Sequence, residues 1–378
     1  MSDSPSGSTT RHPEADPEEP PGDRGASTRS PPELKVSPKA ISWGIVVFVA
    51  ASVAGFGALF LYTQDLSASL AGFRRFDLMW ALPCLAFATF DWFGGGLRVW
   101  LLLQPLDIDV PYWRCVEISG TTAGLAYLTP SGAGGGPAHL YGLVRHGASV
   151  GRAAASNFAS IIVNLTFLAV AGLAAWYFGA GSALQGIRVP GVDIAASTLF
   201  KWVATTFGAV AAYVIIFAFN PRPARAAIIK IFGQGRRVRT VLRWLHELHE
   251  SMIVYGKAGK GWLTLATLAG TFQFGGRFLL GWSVIRGFGI EAPFVEVVIL
   301  HILLQFLLYF MPTPGATGIG EILAPALMAP FLPGSLVVAY TAVWRVFLTY
   351  LPVVAGGGLL LKWVRDDRRR LAESLASP

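Results

Sequence analysis

Thr129-Pro130-Ser131-Gly132-Ala133-Gly134-Gly135-Gly136 and Thr313-Pro314-Gly315-Ala316-Thr317-Gly318-Ile319-Gly320 both read T-P-x-x-x-G-x-G, and each sits inside strongly hydrophobic sequence. Proline lacks a backbone donor and glycine loosens a helix, so each stretch marks a break. Hydrocarbon offers no hydrogen bonds. A helix broken inside a bilayer therefore survives only where protein or a watery cavity covers the freed backbone groups. Matching interruptions in two halves of a chain are the strongest sequence pointer to a transporter's central site.

The surrounding composition agrees. Of 378 residues, 53% are hydrophobic and 14% charged, with a mean hydropathy of +0.53. Soluble domains carry about 25% charged residues, and several runs here approach the roughly 20 apolar residues of a bilayer crossing. The runs are continuous rather than alternating, which argues against a membrane β-barrel. They predict an all-α polytopic membrane protein. The net charge of +8 is gathered in a few loops, which suits the positive-inside rule and anionic lipid rather than nucleic acid. Cys84 and Cys115 alone support neither a disulfide framework nor a metal site, and no cofactor is expected.

Residues 1–39 are rich in Pro, Ser, Glu and Arg and read as a disordered cytoplasmic tail. A first membrane repeat, 40–180, holds spans near 41–62, 78–103 and 153–178 and the interrupted block 116–144. A second, 194–361, holds spans near 194–219, 262–284 and 336–361, a basic segment 220–260 and the interrupted block 294–332. Residues 362–378 form a charged cytoplasmic tail. Arg145, Arg152, the basic segment and the tail share the cytoplasmic side only if the first interrupted block enters and returns on one face. The expected fold is six spanning helices plus two re-entrant helical hairpins in an inverted repeat, with three crossings per half reversing the second half. A second echo supports the duplication: Phe90-Asp91-Trp92-Phe93-Gly94-Gly95-Gly96-Leu97-Arg98 and Phe272-Gln273-Phe274-Gly275-Gly276-Arg277 precede the two motifs at a like separation.

Charges inside spans are costly and mark function. Asp91 and Arg98 stand seven apart and Gln273 and Arg277 four apart, so each pair shares a helix face. One reading has Asp91 pairing with an arginine and merely fixing packing. The other has Arg98 and Arg277 gripping a phosphate, because a guanidinium donates two parallel hydrogen bonds. Arg345 lies in the last span. The hairpin tips add Thr129, Pro130, Gly134 and Gly136, and Thr313, Pro314, Gly318 and Gly320, where a half-helix start points free N–H groups at a ligand. His139 and Glu321 follow early in those half-helices, and Glu321 there suits the helix dipole. Arg145 closes the first block. Three patterns are set aside. Asp107-Ile108-Asp109 resembles a metal–nucleotide site but is short and common. His246 and His249 stand three apart instead of the four of H-E-x-x-H. Ser131 has no base partner in sequence. Val238, Leu242, Leu245 and Met252 instead give an amphipathic helix, with Arg236, Arg237, Arg239 and Arg243 toward anionic inner-leaflet lipid.

At these residues the chain resembles the lysylphosphatidylglycerol synthase transmembrane-region family, flippase-like proteins also found as the membrane half of multiple peptide resistance factors. The likeness rests on Arg98, Thr129–Pro137 with Arg145-His146-Gly147, and Met311–Glu321, and covers about Ile41–Arg365. Gly136 stands where a glutamate is usual and His139 where an arginine is common, and an acidic–basic pair is missing around Ile161–Asn164. The resemblance implies movement of a phospholipid or polyprenyl-linked lipid between leaflets, in the plasma membrane, and the basic residues place both termini in the cytoplasm. No catalytic residue is expected, and the reading is of a membrane part without the soluble aminoacyl-transfer domain. The alternatives are a membrane-embedded transferase using Asp107 or Asp109, or a docking partner for a separate synthase through 220–260. A second copy of the chain is a further partner to consider.

Overall fold

The structure, a computed structural model, describes residues 38–63, 66–180, 188–189, 194–233, 235–258, 261–309 and 311–376. The tail expected to be disordered lies, to residue 37, outside them. The protein is helical: α1 Pro38–Thr63, α2 Leu66–Phe73, α3 Ala81–Leu103, α4 Tyr112–Tyr127, α5 Gly135–Arg145, α6 Val150–Ala175, α7 Ala196–Phe219, α8 Pro221–Phe232, α9 Arg236–Ala258, α10 Gly261–Gly287, α11 Phe294–Tyr309, α12 Ile319–Met328, α13 Val337–Arg345 and α14 Leu351–Ala376. A two-residue strand pair, Arg188–Val189 with Ile194–Ala195, precedes α7. Three prolines fall where a missing donor costs least, Pro83 in the first turn of α3, Pro111 at the N-cap of α4 and Pro221 opening α8, whereas Pro325 lies inside α12.

Trp43–Leu61, Val150–Gly179 and Gly334–Glu373 are long and apolar enough to cross a bilayer. In the first of these only 28% of the most apolar window is buried, and Val46, Val53 and Leu61 face outward. That exposure suits hydrocarbon, not water. The last segment differs from expectation, because helix continues through 362–376. Trp363 explains it: the ring is buried and packs on Tyr141 and His146.

The two halves share local geometry at nearly the same offset. Helices α4 and α11 are 16 residues each. Both motifs contain two consecutive left-handed residues, Ser131 (φ 51°) with Gly132 (φ 68°), and Gly315 (φ 58°) with Ala316 (φ 53°). Each pair turns the chain into the next helix, α5 or α12, three residues on. Helices α3 and α10 cross at the second echo. The Phe90 and Phe272 rings lie 5.5 Å apart, and Gln273 Nε2 donates to Asp91 Oδ1 at 2.8 Å. Gly94 abuts the backbone of Gln273, while Gly276 abuts Phe87 and Phe90. The contact is reciprocal, as at an isologous interface.

This crossing gives a first prediction. A Cβ at Gly94 would sit 2.6 Å from the Gln273 backbone nitrogen, whereas one at Gly275 would meet nothing within 4 Å. Gly94→Ala should cost about 1–3 kcal/mol through overpacking, and Gly275→Ala should be neutral. Thermal unfolding in detergent compares them. Equal midpoints would remove the close crossing.

Helix α9 carries the amphipathic pattern expected of the basic segment. It packs on α6 and α7, burying Val238, Met252 and Tyr255, and Tyr255 Oη donates to the Leu102 carbonyl at 2.8 Å. The apolar stripe is thus in part docked on protein. Arg236, Arg239 and Arg243 are exposed. The side chains of Arg237 and Leu245 lie outside the described residues.

Candidate functional site

A cavity of about 350 Å³ opens where the two breaks approach each other. Ser131 and Gly132 line it from the first break, and Thr313, Gly315 and Ala316 from the second. Tyr127 and Tyr309, the last residues of α4 and α11, also line it. Helix α6 presents Asn157, Ser160 and Asn164. Three arginines, Arg98, Arg277 and Arg345, are its charged lining; no carboxylate or lysine joins them among the described residues.

The arginines differ in what they already hold. Arg277 Nη2 reaches both Asp91 oxygens, at 2.9 and 2.8 Å, and its guanidinium lies over the Phe274 ring at 5.1 Å. Asp91 is buried behind the lining and also accepts from Gln273. Arg345, 1% exposed, donates to Glu321 Oε2 at 3.1 Å. It also caps the Gly315 and Ala316 carbonyls at 3.0 and 2.9 Å. Arg98 is as secluded, 7% exposed, but its partner is neutral: Nη1 donates to Asn164 Oδ1. Among the described residues it makes no ion pair.

The residues expected from sequence divide into two groups. Arg98, Arg277, Gln273, Gly136, His139 and Thr313 line the cavity, and His139 Nε2 lies 3.2 Å from Ser156 Oγ. Most of the rest build the breaks, while Asp91 and Arg145 pair with Arg277 and Asp367. Thr129 Oγ1 accepts from the Gly134 N–H at 2.7 Å and donates to the Leu125 carbonyl at 2.9 Å, splinting the first break. Pro130 is exposed beside it. The Pro314 carbonyl accepts from Thr317 Oγ1 at 2.8 Å. Gly318 (φ 83°) lies under α1, where a Cβ on Gly55 would approach its Cα to 2.9 Å. A Cβ on Gly320 would collide with the Arg345 guanidinium. The start of α12 therefore faces Glu321 and Arg345 rather than a ligand. Arg145 is also displaced from the site. Its Nε donates to Asp367 Oδ1 at 3.0 Å, its guanidinium covers Trp363 at 5.4 Å, and Tyr141 Oη donates to the same carboxylate at 2.6 Å. The cluster ties α5 to α14.

Sequence reasoning missed Asn157, Ser160, Asn164 and the two tyrosines. A signal existed: the three polar residues of α6 recur at i, i+3 and i+7, one face of a helix.

Among the described residues, ten buried side-chain nitrogen or oxygen atoms lack a protein partner. Seven sit on residues lining this cavity: Arg98, Thr122, Ser160, Gln273, Arg277, Thr313 and Arg345. Buried polar groups are normally satisfied, so their concentration here marks a site for a polar ligand or water.

Comparison with known proteins agrees with the fold. A family model described as the lysylphosphatidylglycerol synthase TM region matches residues 41–356. A UPF0104 membrane protein of Archaeoglobus fulgidus is 22% identical over 316 residues, which cover 81% of this chain and 92% of that protein.

Proposed function

The chain belongs to the lysylphosphatidylglycerol synthase TM region family, and on that premise we propose that it moves an amphiphile with an anionic head group between the leaflets. The observation that carries this reading is Arg98. A guanidinium withdrawn from water costs several kcal/mol unless a counter-charge meets it. Among the described residues Arg98 has only an amide oxygen, and its Nε has no partner. A phosphate in the cavity would take the free edge of the fork with two parallel hydrogen bonds. At about 350 Å³ the cavity is near the small end of ligand pockets, about 300–1,000 Å³. It has room for a head group, while the acyl or prenyl chains stay in lipid.

The path is a helical hairpin entering from each side: α4–α5 from the cytoplasm and α11–α12 from outside, within six spanning helices arranged as an inverted repeat. The matched left-handed pairs and the reciprocal α3–α10 crossing support this arrangement. Both termini are cytoplasmic, in the plasma membrane, and Arg239 and Arg243 of α9 face anionic lipid there. Two measurements test the proposal. Purified protein in proteoliposomes should expose fluorescent phosphatidylglycerol to a membrane-impermeant quencher faster than protein-free vesicles, and equal rates would refute it. Cysteines replacing Arg152 and Arg239 should both label from the cytoplasmic side. Cys84 and Cys115 are buried and give little background. Labelling from opposite sides would overturn the hairpin arrangement.

A further inference from the structure

We propose that the cavity selects a head group with a single negative charge and no cation: one phosphodiester joined to an uncharged polyhydroxy group such as glycerol or a hexose. This rests on the reading above that an anionic amphiphile occupies the cavity. The charge balance sets the class. Asp91 matches Arg277, and Glu321 matches Arg345, leaving Arg98, among the described residues, as the one arginine of the lining that makes no ion pair. One cation suits a phosphodiester, which carries one charge, better than a monoester approaching two.

The rest of the lining excludes a basic head. An ammonium has three donors and no acceptor, and here it would share the cavity with Arg98 and find no carboxylate. Tyr127, an aromatic face for a cation, is already covered by Arg277 at 5.9 Å. The groups left without partners are of another kind. The hydroxyls of Thr122, Ser160 and Thr313 can donate or accept, and Gln273 Oε1 accepts. Such groups pair with hydroxyls, which themselves donate and accept. A site of this composition would disfavour aminoacylated and choline-bearing lipids, because it offers their charge no compensation.

The test is equilibrium binding of four lipids to the full chain in nanodiscs, read by native mass spectrometry: phosphatidylglycerol, a polyprenyl phosphohexose, lysylphosphatidylglycerol and phosphatidylcholine. At least one of the first two should bind at least tenfold tighter than the last two, and the arm that wins identifies the lipid source. Arg98→Gln should abolish that preference, locating it in the cavity. Asn157→Asp, which adds a carboxylate to the lining, should narrow the ratio tenfold or more, and Ser160→Asp serves if Asn157→Asp does not fold. Equal binding of all four, tighter binding of lysylphosphatidylglycerol, or a preference that survives Arg98→Gln would overturn the selectivity and leave translocation standing. Failure of all four to bind, with no translocation, would overturn both.

Discussion

Arg98→Gln protein should fold normally and translocate anionic lipid roughly ten- to a hundredfold more slowly than the native chain. The magnitude follows from a hydrogen bond to a charged group, worth about 1.5–3 kcal/mol. Two features separate this substitution from a general loss of structure. Arg98 makes no ion pair among the described residues, so its removal strands no carboxylate. Asn164 Oδ1, the acceptor Arg98 now uses, is a neutral oxygen on the cavity wall, where water can replace the lost donor. Withdrawing an uncompensated buried cation should leave stability unchanged or improved. Arg277 offers the contrast. Its replacement leaves Asp91 with Gln273 as its remaining donor, so Arg277→Gln should lose stability as well as activity. Reconstituted flux alongside thermal unfolding separates the two variants. Native flux in Arg98→Gln would remove the phosphate-binding role, and an Arg98→Gln chain less stable than Arg277→Gln would reverse the assignment of which arginine holds the fold.

Much of this was legible in the sequence because the costs involved are local. A Pro–Gly cluster inside an apolar run has few readings, and both breaks fall inside the two motifs. Apolar spacing likewise marked α9. What stayed hidden depends on partners distant in sequence. Arg145 looked like a site residue because it adjoins the first motif, yet Asp367 and Trp363, on α14, claim it. Spacing cannot reveal such a pairing. Glu321 suited a helix start by its dipole, but the dipole offers about 0.3–1 kcal/mol at an exposed end, and a buried guanidinium outweighs it. The α6 stripe of Asn157, Ser160 and Asn164 was overlooked for the opposite reason. Uncharged polar residues are tolerated in packed membrane helices, so they stand out less than an arginine does. An arginine partner for Asp91 was one of two readings, but that the partner is Arg277 and that Arg98 stands apart emerges only from the distances.

The second break should prove the most sensitive point of the fold, and through Arg345 more than Glu321. The two breaks meet the same requirement differently. At the first, Pro130 through Ala133 are exposed, so carbonyls freed by the turn can reach solvent, and the Thr129 hydroxyl suffices as a splint. At the second, Pro314, Ala316 and Thr317 are buried, and protein takes that role. Arg345 donates to the Gly315 and Ala316 carbonyls instead, and also to Thr349 and Glu321. Removing one partner of a buried ion pair typically costs about 3–5 kcal/mol. Glu321→Gln should fall at or below that range, since the amide still accepts from Arg345. Arg345→Gln should reach its top, because it strands Glu321 and uncaps two carbonyls that hydrocarbon cannot satisfy. The double variant distinguishes the two contributions. If charge pairing dominates, Glu321→Gln with Arg345→Gln recovers most of the loss. If carbonyl capping dominates, as the geometry indicates, the double variant stays close to Arg345→Gln alone, and the coupling energy is no larger than the cost of Glu321→Gln by itself. Detergent-denaturation midpoints, followed by tryptophan fluorescence, measure all three. A double variant as stable as the native chain would mean that the break does not depend on Arg345.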